Sequence, residues 1–394
     1  MVRFFALPLT FFLTFIFFCS SAYAKTVITF WHSMAGDLGV TLNQIVDQFN
    51  HSQNQFEVKA IYKGDYNQTL TTLVAAFRAN QQPDIVQVFE VGTATMVMPQ
   101  GVIVPVFQLM HQAKINFNFQ DILLPIRSYY SNQQGQLLAM PFNSSSPVLF
   151  YNKNAFKKAG LDPEKAPRTW QEIKLASEKL LKAGYRCGFT TTWPSWIQLE
   201  NFSAWHNIPF ASLDNGFGGL DTKLLFNNSL LINHIQILAN WQKKGIFAYG
   251  GRQDNAMSFF TSEKCAMIFE SSGSVPDFQH YSQFQVGVAP LPYWQGEISA
   301  PQNTSIGGAA LWALSGHSAQ VYLGIAKFFQ FLAKPEIVTF WQEKTGYLPI
   351  TYSAYQLEVK KGFYRKHPNF KIAIDELLNK PPTVNSKGIR LGNY

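Results

Sequence analysis

Several groups of side chains in this 394-residue chain could hold a small molecule. Glu270-Ser271-Ser272-Gly273-Ser274 follows an apolar run, Cys265–Phe269, and precedes a segment able to open a helix through Phe278. Free N–H groups at a helix start, joined by small hydroxyls, make a seat for an anion. The same residues also serve as an ordinary serine N-cap. Gly307-Gly308 lets backbone approach a ligand closely, or simply marks a bulge or tight packing. Lys344 to Ile350 sets Tyr347 on a loop bounded by Gly346 and Pro349. Trp193, Trp196, Trp205 and Tyr249 can stack on the C–H faces of a polyol or fill a core, the commoner use. Groups for making and breaking bonds are another matter. There is no G-x-S-x-G turn and no H-E-x-x-H. His32-Ser33 and Gly316-His317-Ser318 are neighbours in sequence only, which says nothing of a triad. The eight histidines are dispersed, with no pair at i, i+3 or i, i+4, so neither a metal nor any other cofactor is expected. These residue types point to binding without catalysis.

Elements that could position them are legible from periodicity. Val27 to Phe30 reads as a strand, and Leu38, Leu42, Ile45, Val46 and Phe49 recur at helical spacing. Phe56, Val58 and Ile61 make a second strand, Leu70 to Phe77 a second helical stripe, and Asp84 to Phe89 a third strand. This β-α-β-α-β order implies a parallel sheet whose ligand crevice lies beyond the carboxyl ends of its strands. Three loops fall there: Trp31–Met34, Lys63–Tyr66 and Glu90–Thr93. From Asn143 a second unit begins. Asn143, Ser144, Ser145 and Ser146 form a polar loop feeding an apolar strand, Pro147–Tyr151, as expected where a chain crosses between lobes. Thr169 and Glu172 fit a capping box ahead of a helix to Gly184. Further strands are expected at Tyr185–Thr190, Cys265–Phe269, Gln285–Ala289 and Ile306–Leu314. Helices are expected at Leu230–Trp241 and at Tyr322–Phe329, the latter ending before Lys334-Pro335.

The first residues read as a secretory leader: Arg3, an apolar run from Phe4 to Phe18, and an A-x-A site at Ala22-Tyr23-Ala24, with Lys25 first in the mature chain. No later segment reaches membrane-spanning length without a charge or breaker. Formal charge is +8, and removal of the leader with its one Arg and no acid leaves 8 − 1 = +7. The Lys and Arg residues are scattered, with no stripe interleaved by aromatics, so a nucleic-acid partner is not expected. Two cysteines remain in the mature chain, Cys187 and Cys265. An exported chain permits a disulfide between them, but two buried thiols fit the sequence as well.

The chain resembles the extracellular solute-binding proteins that feed ABC importers, and within them the branch that binds sn-glycerol 3-phosphate. The resemblance covers nearly the whole mature chain. It rests on Phe30–Met34, Tyr62–Tyr66, Glu90–Met96, Pro141–Lys153, Trp196–Trp205, Ser271–Ser274, Thr345–Thr351 and Asn379–Pro382. It implies an α/β, two-lobed periplasmic binding protein fold of type II, each lobe a mostly parallel sheet flanked by helices. After the leader at 1–24, the implied lobes are 25–142 plus 284–334 and 143–283 plus 335–394. It also implies a non-enzymatic, monomeric component of the periplasm. The implied partners are membrane permease subunits driven by a cytoplasmic ATPase, and the implied ligand is sn-glycerol 3-phosphate or a glycerophosphodiester. Tyr66, Glu90, Ser145, Ser271, Gly308 and Tyr347 fall on ligand-contacting positions. Glu90 would accept from glycerol hydroxyls, and the other five would donate to phosphate oxygens. One departure stands out: members of this branch continue past Leu391-Gly392-Asn393 with an Arg on the phosphate and terminal helices. The chain is therefore read as C-terminally shortened, with Arg390, Arg252 or Lys63 as candidate replacements. An oligosaccharide-binding protein of the same family, a truncated non-functional copy and an exported phosphodiesterase are the competing readings.

Overall fold

The computed structural model describes residues 1–2, 24–219, 221–297 and 301–390. The expected leader lies almost wholly outside the described residues. Ten strands form two five-stranded sheets. In the first, β1 (Thr26–His32) pairs in parallel with β2 (Phe56–Tyr62) and β3 (Ile85–Phe89). Alternation along β1 buries Ile28, Phe30 and His32 on one face. The helix Gly36–Ser52 covers the sheet with Leu42, Ile45, Val46 and Phe49, all buried. The helix Tyr66–Arg78 starts at a capping box in which Asp65 accepts from Gln68 N–H and Gln68 reaches back. β3 is buried along its whole length, as befits a central strand flanked on both faces.

The first sheet is completed by β4 (Met140–Ser145) and, much later in sequence, β10 (Gly307–Ala313), in the order β2-β1-β3-β10-β4. The second sheet runs β7-β6-β8-β5-β9: β7 (Phe247–Tyr249), β6 (Cys187–Thr191), β8 (Cys265–Ser271), β5 (Pro147–Asn152) and β9 (Val286–Ala289). Both sheets are mixed, not mostly parallel. In each, two strand pairings are parallel and two antiparallel, because the returning strand β10 and the crossing strand β5 run against their neighbours.

The residues expected as a polar loop, Asn143 to Ser145, are instead the end of β4. Ser146 alone separates β4 in the first sheet from β5 in the second. The return from the second sheet also comes later than Phe284, because β9 occupies the open edge of β5 and only β10 re-enters the first sheet. The helix Pro335–Thr345, expected with the second lobe, lies against Gly36–Ser52, and its Trp341 stacks on Phe142 of β4.

In the second lobe, the helix Trp170–Lys182 is opened by the expected Thr169/Glu172 capping box. The helix Ser229–Lys243 is capped by Asn228, which accepts from Leu231 N–H. Aromatic rings dominate this core: Trp170, Phe189, Trp241, Phe247 and Phe269 meet around β6 and β8. Cys187 and Cys265 stand opposite one another on these adjacent strands, 4.7 Å apart at Cα, and form a disulfide. No helix among the described residues is long and apolar enough to cross a membrane.

Candidate functional site

A cleft of about 240 Å³ lies between the two sheets, lined from both sides. All six residues singled out in the sequence line it: Tyr66, Glu90, Ser145, Ser271, Gly308 and Tyr347. The first sheet supplies four of them from strand ends and the loops beyond. Tyr66 opens the helix that follows β2, and its ring stacks on Phe89 at 5.3 Å with the planes 1° apart. Glu90 is the residue after β3, Ser145 ends β4, and Gly308 lies in β10. Ser271 ends β8 of the second sheet. Tyr347 follows Gly346, whose left-handed φ of +74° ends the helix Pro335–Thr345. A Cβ on Gly346 would sit 2.7 Å from the Ser272 carbonyl, so glycine is what lets the Tyr347 loop close on Ser271–Ser274. Tyr347 stacks on Trp341 at 5.9 Å.

One expected role needs correction. The N–H groups of the Ser271 turn were candidates for an anion seat, but they are occupied. Ser271 N–H donates to Glu270 Oε1 at 2.6 Å, Ser272 N–H to the Ser146 carbonyl at 2.9 Å, and Gly273 N–H to Ser271 Oγ at 3.2 Å. The turn is a serine cap, and its hydroxyl is what faces the cleft. Gly308, expected to donate its N–H to a phosphate oxygen, lines the cleft. Gly308 itself is required for packing. Its φ is +90°, and a Cβ there would collide with the Asn143 carbonyl oxygen.

The electrostatics are acidic. Glu90, Asp254, Glu270 and Asp277 line the cleft, and no Lys or Arg does among the described residues. Burial, assisted by the charge of Glu200, pushes Glu90 up to about 8. Burial, with a smaller contribution from Asp254, pushes Glu270 up to about 7. Asp277 is raised by burial and then by Asp37. Near neutral pH much of this charge is therefore quenched by protons. The Tyr66 and Tyr347 phenols are raised too, chiefly by burial, so both keep their protons and remain donors.

The cations expected as candidate phosphate partners lie elsewhere. Arg390 donates to the Tyr129 and Ser131 carbonyls and stacks on Phe217 at 4.1 Å. Lys63 sits 4.2 Å over the Trp31 ring. Neither they nor Arg252 line the cleft. Trp193 and Trp196 do, whereas Trp205 is a core residue and Tyr249 an exposed one. Sequence reasoning missed Asp254, Met257 and Asp277, which come from a turn, a short helix and the first turn of another helix. No pattern in the sequence marks them.

Two mixed α/β lobes, bridged by a strand pair and closed on a polar cleft, define a ligand-capturing protein. The chain belongs to the bacterial extracellular solute-binding proteins, whose family model matches residues 44–372. It is 49% identical over 377 residues to the sn-glycerol-3-phosphate-binding periplasmic protein UgpB of Yersinia enterocolitica, covering 95% of this chain and 86% of that one. Against the protein of the same name from Pectobacterium atrosepticum the identity is 48%, over 95% and 84% of the two chains. Among solved structures it is similar to UgpB from Mycobacterium tuberculosis in complex with glycerophosphocholine, with a TM-score of 0.78, 23% identity, and coverage of 91% and 87%. It is also similar to the cyclic α-maltosyl-1,6-maltose binding protein of Arthrobacter globiformis, with a TM-score of 0.73, 21% identity, and coverage of 90% and 87%.

Proposed function

We propose that this protein is the non-catalytic receptor of an ABC importer, capturing sn-glycerol 3-phosphate in the periplasm and delivering it to membrane permease subunits. The observation that carries the reading is the convergence of four hydroxyl donors on one small cleft: Tyr66, Tyr347, Ser145 and Ser271. Three come from the first sheet and its neighbouring helix, and Ser271 comes from the opposite sheet, so a ligand touching all of them draws the lobes together. Hydroxyls that keep their protons suit both the phosphate oxygens and the alcohols of a glycerol ester. Glu90, mostly protonated near neutral pH, and Glu270, about half protonated there, can share hydrogen bonds with the glycerol hydroxyls at reduced repulsion of the anion. The resemblance to curated binders of sn-glycerol 3-phosphate at 49% identity supports the same ligand. The cleft, at about 240 Å³, favours a molecule of this size over an oligosaccharide.

Titration calorimetry on the purified mature protein tests the proposal. Saturable heat is expected with sn-glycerol 3-phosphate and none with maltose. Equal responses to both, or none to the phosphate ester, overturn it.

A further inference from the structure

Behind the cleft wall runs a chain of buried amides that ends on the Tyr66 hydroxyl. Gln87, in the middle of β3, is 1% exposed, and Asn143, in β4, is 0% exposed. Ser33 N–H donates to Gln87 Oε1 at 2.8 Å. Gln87 Nε2 donates to Asn143 Oδ1 at 2.7 Å. Asn143 Nδ2 donates to the Tyr66 hydroxyl oxygen at 2.8 Å. Tyr347 lines the same cleft.

The direction of every bond in this chain follows from its first member. A backbone N–H can only donate, so the Gln87 oxygen must face Ser33 and its NH₂ must face Asn143. Asn143 then has to present its oxygen to Gln87 and its NH₂ to Tyr66. A phenol oxygen that accepts from an amide NH₂ still has its own proton to give. Tyr66 is thereby left as a donor.

We infer that Asn143, held in one orientation by Gln87 and Ser33, is the positioning residue that makes Tyr66 an obligate donor toward an acceptor-rich ligand in the cleft. The inference rests on the function proposed above for the identity of that ligand, while the amide polarity stands on the apo protein alone. It also accounts for two uncharged amides buried at the centre of the first sheet. Reversal of the chain would turn the Tyr66 hydroxyl proton inward and aim lone pairs at an anion, in a cleft that already contains four carboxylic acids. Ser271 follows the same logic on the opposite wall, since its oxygen accepts from Gly273 N–H and its proton is left for the cleft.

Two experiments test it. The first is a double-mutant cycle read by calorimetry with sn-glycerol 3-phosphate on the full chain. Asn143→Asp keeps the shape but accepts from both Gln87 and Tyr66, capturing the Tyr66 proton. Tyr66→Phe should weaken binding about tenfold in the wild-type background and less than about twofold in the Asn143→Asp background. Equal losses in both backgrounds overturn the inference, since a purely structural role for Asn143 leaves the Tyr66 contribution intact. The second is neutron diffraction on the unliganded wild-type protein, which needs no variant to fold and no ligand to bind. Deuterium on the Asn143 atom facing Tyr66 supports the relay. A bare oxygen there overturns it. Absence of any heat from the wild type with sn-glycerol 3-phosphate overturns the functional reading instead, and the neutron result then decides the relay by itself.

Discussion

Replacing Glu90 by glutamine isolates the largest acidic perturbation described with a value in the cleft. Burial and Glu200 raise the Glu90 carboxyl from its ordinary 4.5 to about 8. One unit corresponds to about 1.4 kcal/mol, so ionising this group in the folded protein costs roughly 5 kcal/mol more than in the unfolded chain. The sign follows from proton counting. Between pH 4.5 and 8 the unfolded chain gives up the Glu90 proton and the folded protein keeps it. The folded state binds more protons, and stability falls as pH rises through that window. The glutamine of the Glu90→Gln variant is neutral in both states, so it imitates the protonated carboxyl without the slope. Other raised acids, Glu270 and Glu376 among them, act in both proteins and cancel in the difference. The expected outcome in urea denaturation, followed by ellipticity at pH 5, 6.5, 8 and 9 without ligand, is a variant that gains on the wild type by about 1.4 kcal/mol per pH unit. The gain should level off above pH 8, near the folded value of Glu90. A constant difference between the two proteins across the range would show that Glu90 is ionised throughout and would refute the burial argument.

Affinity for the phosphate ester should also fall between pH 7 and 9 as Glu90 and Glu270 ionise beside it, and calorimetry with Glu90→Gln should show a shallower fall. Gly308→Ala forces a left-handed φ on a side chain whose Cβ meets the Asn143 carbonyl, and a loss of at least about 3 kcal/mol or failure to accumulate is expected, read by thermal melting. The Cys187–Cys265 bond closes a separation of 78 residues, for which chain entropy gives about 4–5 kcal/mol. Reductant should accordingly lower the urea midpoint, and an unchanged midpoint refutes that estimate. Ser271→Ala removes a hydroxyl with a free proton and leaves Gly273 N–H without its acceptor; binding about tenfold weaker is expected, with little change in ligand-free melting.

The first lobe was legible because periodicity carries it. Ile28 and Phe30 alternate, Leu42, Ile45, Val46 and Phe49 repeat at helical spacing, and the structure buries these side chains. Asn143, Ser144 and Ser145 read as a loop because a fully buried strand is expected to be apolar. They form one all the same, since amide and hydroxyl partners across the cleft wall satisfy Asn143, and β10 supplies the backbone ladder. The six cleft residues came through the family resemblance and not through spacing. Their polarity did not: which N–H groups along Ser271–Gly273 are already taken depends on local side-chain geometry and, at Ser272, on the distant Ser146 carbonyl. The disulfide likewise required the register between β6 and β8, which only pairing defines. Asp254, Met257 and Asp277 have no signature at all, because a turn and two short helices are too brief to carry a periodic signal.

Ser146, the lone residue between β4 and β5, has a mechanical consequence. Pro147 follows it, which confines Ser146 to extended backbone and fixes the next φ. Its hydroxyl donates to Thr304 Oγ1 at 2.6 Å, lashing this crossing to the segment that leads back into β10. Relative motion of the two sheets thus has a short, stiff pivot with a lateral brace: the halves can swing like a door on its pin, but they cannot slide past one another.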